Sequence, residues 1–124
     1  MSDSIFSKII AREIPATIQY EDDDFIAFND LYPKAPVHVL IVPKHPYQTL
    51  EKVALSNTAF HAGLLQTVRK VAKILDISDN YKIFMNVGSK VQQVQHIHVH
   101  LTGGWTKNQD VGAIEEEAAQ LINE

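Results

Sequence analysis

Gln95-His96-Ile97-His98-Val99-His100-Leu101-Thr102-Gly103-Gly104 is the stretch on which the reading of this chain turns. Histidine alternates there with Ile97, Val99 and Leu101. A period of two with β-branched residues between is a strand signal. Alternate side chains of a strand share a face. The spacing therefore predicts three imidazoles on one face and three apolar side chains on the other. The apolar face is expected to be buried. A row of groups that titrate near neutrality makes a poor core, so its face is expected to meet water, a cleft or a ligand. Gly103 and Gly104 then end the strand and admit close backbone approach.

Length and composition set the frame. The chain has 124 residues, a net charge of −4 and no cysteine. That suits one domain over 1–124, with a core over about 4–104 and a helical tail over 105–124. An acidic balance argues against a nucleic-acid partner, because phosphate contacts need a basic surface. Without cysteine, disulfides and thiol catalysis are excluded. No basic n-region or long apolar run marks a signal peptide or a membrane span. The expected location is cytoplasmic.

Working outward, Asp3 or Ser4 caps a short helix carrying Ile5, Phe6, Ile9 and Ile10, which Pro15 halts near Glu13. Thr17–Tyr20 and Phe25–Phe28 read as a hairpin across the acidic turn 21–24. Asn29–Pro36 is a loop. Val37–Val42 is a near-continuous apolar run, a central strand buried on both sides and interrupted only by His38. Phe60, Leu64, Val68, Val71 and Leu75 step by four, four, three and four, which predicts a long amphipathic helix capped by Ser56 or Asn57. Tyr81–Val87 and Val94–Thr102 form a second antiparallel pair with a wide loop. Gly112–Asn123 reads as a terminal helix. The fold class is α+β: an antiparallel five-stranded sheet with one long packed helix and short N- and C-terminal helices.

Three readings of the histidine row compete. A metal site would take two histidines and a third, His100 or His38. Collinear same-face positions about 6–7 Å apart do not converge easily on one ion, and no metal or cofactor is expected. A second reading is a polar cleft without chemistry. The third is nucleophilic catalysis, because a neutral imidazole can attack phosphorus and form a covalent intermediate. Fixed donors must then meet the charge on the phosphoryl group. Backbone N–H groups near Gly88 and Ser89, or at the far end of the row, are the expected source.

The motif His96-x-His98-x-His100 with Gly103-Gly104 behind it resembles the signature of the histidine triad (HIT) superfamily. Ile5–Ile10, Glu13-Ile14-Pro15-Ala16, Tyr20-Glu21-Asp22, Ala27-Phe28-Asn29-Asp30, Pro33–His38, Ile41–Lys44, and Asn86 before Gly88-Ser89 resemble its Hint branch. The resemblance implies that His98 attacks the α-phosphate of a bound nucleotide. It implies that His100 contacts the phosphate or leaving group, that His96 orients His98 partly through its carbonyl, and that His38 supports the row. Asp30 would bind the ribose hydroxyls, and Phe6, Ile9, Phe28 and Leu31 would form the base pocket. Asn86 and Ser89 would help hold ribose and phosphate. The implied ligand is a purine nucleotide of the AMP type. The implied reaction is cleavage of nucleoside 5′-phosphoramidates or similar conjugates by a homodimer, without metal.

The chain also departs from that pattern. Val91 stands where the branch has glycine, Gln93 where it has a hydroxyl, and the loop is one residue shorter. Loop geometry and leaving-group preference therefore do not carry over. Two other functions stay open on sequence: a nucleotide- or partner-binding protein with little turnover, and a dinucleoside polyphosphate hydrolase as in the Fhit branch.

Overall fold

The computed structural model describes residues 4–106, and the expected C-terminal helix lies outside them. The elements are α1 (Ile5–Ile10), β1 (Ile18–Glu21), β2 (Phe25–Asn29), β3 (Val37–Pro43), a 3-10 turn (Leu50–Lys52), α2 (Thr58–Ile74), β4 (Tyr81–Phe84) and β5 (Val99–Gly103). The five strands form one antiparallel sheet in the order β1-β2-β3-β5-β4. The α+β expectation therefore holds.

Alternation along the strands gives the sheet two apolar faces. Ala27, Val39, Ile41, Val99 and Leu101 point to α2 and pack on Leu64, Val68, Val71 and Ala72. Ile26, Phe28, Leu40 and Val42 point the other way and pack on Phe6 and Ile9 of α1. The central strands are thus covered on both sides, which is why β3 reads as a continuous apolar run. His38 and His100 share the α1 face, because His100 pairs with Leu40 in the register of β3 and β5.

Local chemistry sets the boundaries. The Ser4 hydroxyl caps α1 by accepting from the Ser7 N–H, and Asn57 caps α2 by accepting from the Phe60 N–H. α1 stops three residues short of the expected Glu13, because Arg12 takes φ +64 and the Glu13 N–H turns back to the Lys8 carbonyl. The acidic turn is a closed structure. Asp22 Oδ1 accepts from the N–H groups of Asp24 and Phe25.

The histidine strand is shorter than its alternation predicts. Residues 94–98 lie outside β5, and the partner strand ends at Phe84 rather than Val87. The cause is Gln92, which is buried within the connection. Its Nε2 donates to the carbonyls of Gln48 and Val94, and its Oε1 accepts from the Gly88 N–H. Those bonds fold the chain into a compact loop where a ladder was expected. The Ile97 N–H is drawn to the Tyr47 carbonyl instead.

The glycines at the strand end do what their position suggests. A Cβ on Gly103 would lie 2.9 Å from Ile77 Cδ1, and Gly104 takes φ +83. Trp105 follows, half-buried, with Lys82 Nζ 5.3 Å from its ring centroid. Leu101 is fully buried beneath α2. Leu101→Ala is expected to lower unfolding free energy by about 2–5 kcal/mol in urea denaturation. A loss under about 1 kcal/mol would show that β5 is not central to the core.

Candidate functional site

A cavity of about 610 Å³ opens on the α1 face of the sheet. That size suits a small organic ligand. Phe6, Ile9, Phe28 and Leu31 line it, as do Asp30, His38, His98, His100 and Asn86. Of the residues expected at the site, two stand apart. Ser89 is exposed and does not line this cavity, and His96 is sealed behind it. The Gly88 N–H, expected to meet phosphate, is already bonded to Gln92.

The row of three imidazoles on an open face is therefore corrected. His98 and His100 face the cavity, with ring centroids 5.1 Å apart. His96 has no exposed surface. Its chain segment bends before β5 begins, and that bend turns the ring inward.

A neutral imidazole carries one N–H and one lone pair. The partners here assign both on each ring. His98 Nδ1 lies 2.8 Å from the His96 carbonyl. A carbonyl only accepts, so Nδ1 holds the proton and Nε2 is left with a free lone pair. His38 Nδ1 accepts from the Lys34 N–H at 3.0 Å, so its proton sits on Nε2. That Nε2 lies 2.9 Å from His100 Nδ1. His100 Nδ1 must accept, so its own proton sits on Nε2. His96 Nε2 lies 2.8 Å from the Pro43 carbonyl and donates to it. The cavity thus presents a nucleophilic nitrogen on His98 beside an N–H donor on His100.

Burial reinforces this neutral state. It pushes His38 and His96 below the ordinary histidine value, against the nearby Asp30 carboxylate in one case and the Pro43 carbonyl in the other. His100 is pushed down to about 4, first by burial and then by the charges of His98 and His38.

Asp30 Oδ2 lies 3.4 Å from His38 Nε2 and 4.0 Å from His100 Nδ1, so these three groups are close enough to suggest a metal site. They do not fit one. A ligating histidine offers a bare nitrogen to the ion and donates its other N–H outward. The backbone N–H of Lys34 enforces the reverse on His38.

Sequence reasoning missed Phe84, whose ring lies flat on His100 at 4.4 Å with 5° between planes. Phe84 is the cross-strand partner of His100, so the β4–β5 register would have found it. Lys34 and Gln93 also line the cavity.

The HIT domain family model matches residues 11–107. A 14 kDa zinc-binding protein of Brassica juncea is 42% identical over 109 residues, covering 86% of this chain and 96% of that one. The adenylylsulfatase HINT1 of Arabidopsis thaliana is 41% identical over 110 residues, covering 86% of this chain and 75% of that one. The structure of a HIT family hydrolase from Clostridium thermocellum superposes with a TM-score of 0.79 at 38% identity, covering 90% of this chain and 98% of that one.

The lowered histidines make a pH prediction. The unfolded chain, titrating near 6.5, takes up protons before the folded chain does as pH falls. Their stabilisation is complete above about 6.5 and is lost as pH drops, through a window reaching about 4 for His100. Urea unfolding at pH 5 should show about 2 kcal/mol less stability than at pH 7 from His100 alone. His100→Gln should remove that share of the slope. A profile flat between pH 7 and 5 would contradict rings held neutral.

Proposed function

The chain belongs to the HIT domain family, and on that premise we propose that it cleaves purine nucleoside 5′-phosphoramidates or similar nucleotidyl conjugates to the nucleoside monophosphate. One observation carries the reading. The His96 carbonyl holds the proton of His98 on Nδ1, which leaves Nε2 bare in the ring that lines the cavity.

Two steps follow. In the first, the phosphate anion of the bound substrate opposes the burial of His100 and draws a solvent proton onto its Nδ1, the His38 N–H turning to the Asp30 carboxylate 3.4 Å away. The Nε2 lone pair of His98 attacks the α-phosphorus and forms an N–P bond. The bond from phosphorus to the leaving nitrogen breaks with its electron pair. His100 gives its proton to that nitrogen, so a neutral amine departs. In the second, water attacks phosphorus, the N–P bond breaks back onto His98, and the water's proton returns to His100. The nucleoside monophosphate leaves, His100 gives its extra proton back to solvent, and both rings regain their neutral starting states. The phosphoryl charge meets fixed donors at His100 and, in this reading, the Lys34 ammonium.

The rest of the cavity fits the nucleoside. Phe6, Ile9, Phe28 and Leu31 supply an apolar slot for the base, and Asp30 and Asn86 offer partners for the ribose hydroxyls. Gln93, which stands where the branch has a hydroxyl, lines the same cavity. The leaving group is an amine in this proposal. The Arabidopsis relative, named an adenylylsulfatase, makes sulfate the competing choice. The cytoplasmic location expected from the sequence belongs to the same reading, and no described helix is long and apolar enough to cross a membrane.

The reaction is tested by following AMP release from adenosine 5′-phosphoramidate and from adenosine 5′-phosphosulfate, with a chelator present. His98→Ala should lower turnover by about a thousandfold or more. Full activity in that variant would remove His98 from the chemistry. AMP binding by a wild type that turns over neither compound would favour the binding-protein reading.

A homodimer is part of the proposal. β4 is an edge strand whose outer backbone has no strand partner among the described residues, and Ile83 and Phe84 on it are 42% and 46% exposed. Pairing of two β4 strands would continue the sheet between copies. Sedimentation analysis should find a dimer for the wild type and a shift toward monomer for Ile83→Asp. A monomeric wild type would refute this arrangement.

A further inference from the structure

We propose that Ser4 is a positioning residue for His98 and acts through His96. The inference rests on the reading of His98 as the nucleophile. Ser4 Oγ lies 2.7 Å from His96 Nδ1, across 92 positions of sequence. The Pro43 carbonyl fixes the His96 proton on Nε2, so Nδ1 has only a lone pair to offer. Ser4 must therefore donate its hydroxyl proton to that nitrogen. The same oxygen accepts from the Ser7 N–H at 3.0 Å, so its donor and an acceptor site are both committed. The Ser7 hydroxyl, at 3.4 Å, is the weaker alternative acceptor.

His96 is 0% exposed, so with Ser4 in place no bulk water reaches its ring. Removing the hydroxyl would leave a buried lone pair unmet and free the ring to turn. The movement would not stay local. The carbonyl of His96 is the group that holds His98 in its reactive tautomer. Phe6, two residues beyond Ser4, sets its ring edgewise to both His96 and His98, at 5.8 and 5.0 Å between centroids. α1 and the segment carrying the reactive ring thus form one packed unit, and Ser4 is its polar joint.

Helix capping alone is a competing account of Ser4, and three substitutions in the full chain separate the two. Ser4→Thr keeps both the cap and the donor. Ser4→Asp keeps the cap but brings no proton to His96. Ser4→Ala loses both. The readouts are ring 15N NMR of the histidines and steady-state hydrolysis of adenosine 5′-phosphoramidate. The wild type should show His96 protonated on Nε2 alone and His98 on Nδ1 alone. Ser4→Thr should match it. In Ser4→Asp the carboxylate should draw a second proton onto His96, and His98 should lose its single tautomer. Its kcat should fall about 10- to 100-fold, with KM changed less than about threefold.

Wild-type kcat in Ser4→Asp would overturn the proposal and leave Ser4 a cap. An unchanged His98 tautomer in both Ser4→Asp and Ser4→Ala would overturn it as well. The NMR readings need no turnover. The expected spectra in a protein that hydrolyses neither the phosphoramidate nor the phosphosulfate would uphold the positioning role and refute the functional reading.

Discussion

A neutral imidazole has one proton to place, and here backbone groups decide where it goes. The Pro43 carbonyl fixes it on Nε2 of His96, the His96 carbonyl fixes it on Nδ1 of His98, and the Lys34 N–H forces it to the far side of His38. His100 then follows from His38. Backbone geometry is the least adjustable part of a protein, so these assignments cost little reorganisation when charge develops nearby. Burial works in the same direction at His38, His96 and His100, where it disfavours a second proton. A bare nitrogen and an N–H donor side by side are the result.

The sheet makes that arrangement possible by being covered on both faces. β3 and β5 carry apolar residues toward α2 and histidines toward α1. The short helix α1 does not so much complete a core as roof one side of a cavity, with Phe6 and Ile9 buried at its edge. Its six residues are too few for helix propensity to hold them. What holds them is the packing of Phe6 on Phe28 and the cap at Ser4. The cavity is therefore as firm as the contacts between the first helix and the sheet.

Much of this was legible in the sequence, because period-two alternation and the four-four-three-four spacing of α2 are direct images of burial. His38 stood out as the one polar residue in an apolar run, and its ring meets that of His100, its diagonal neighbour on β5. What escaped depended on side chains crossing long distances. Nothing in the alternation of residues 94–98 shows that Gln92 saturates its amide on three backbone groups and ends the ladder early. The same bonds use up the Gly88 N–H, one of the groups the sequence offered for phosphate. Phe84 was invisible for a different reason. Its importance lies in the residue opposite it, and pairing register is not a local property. Ser89 followed from family likeness in a loop whose length and composition differ, which is where such likeness is weakest.

The chain contains one tryptophan, and it sits immediately beyond the strand that carries His100. Trp105 is half-buried, beside Lys82 on the neighbouring strand. Every photon of indole emission therefore originates at one corner of the sheet, at the exit of β5. A charged amine near the ring face makes the emission sensitive to whether β4 and β5 remain paired there. The protein carries a native optical reporter of the strand pair behind its cavity histidines, with no second indole to blur the signal.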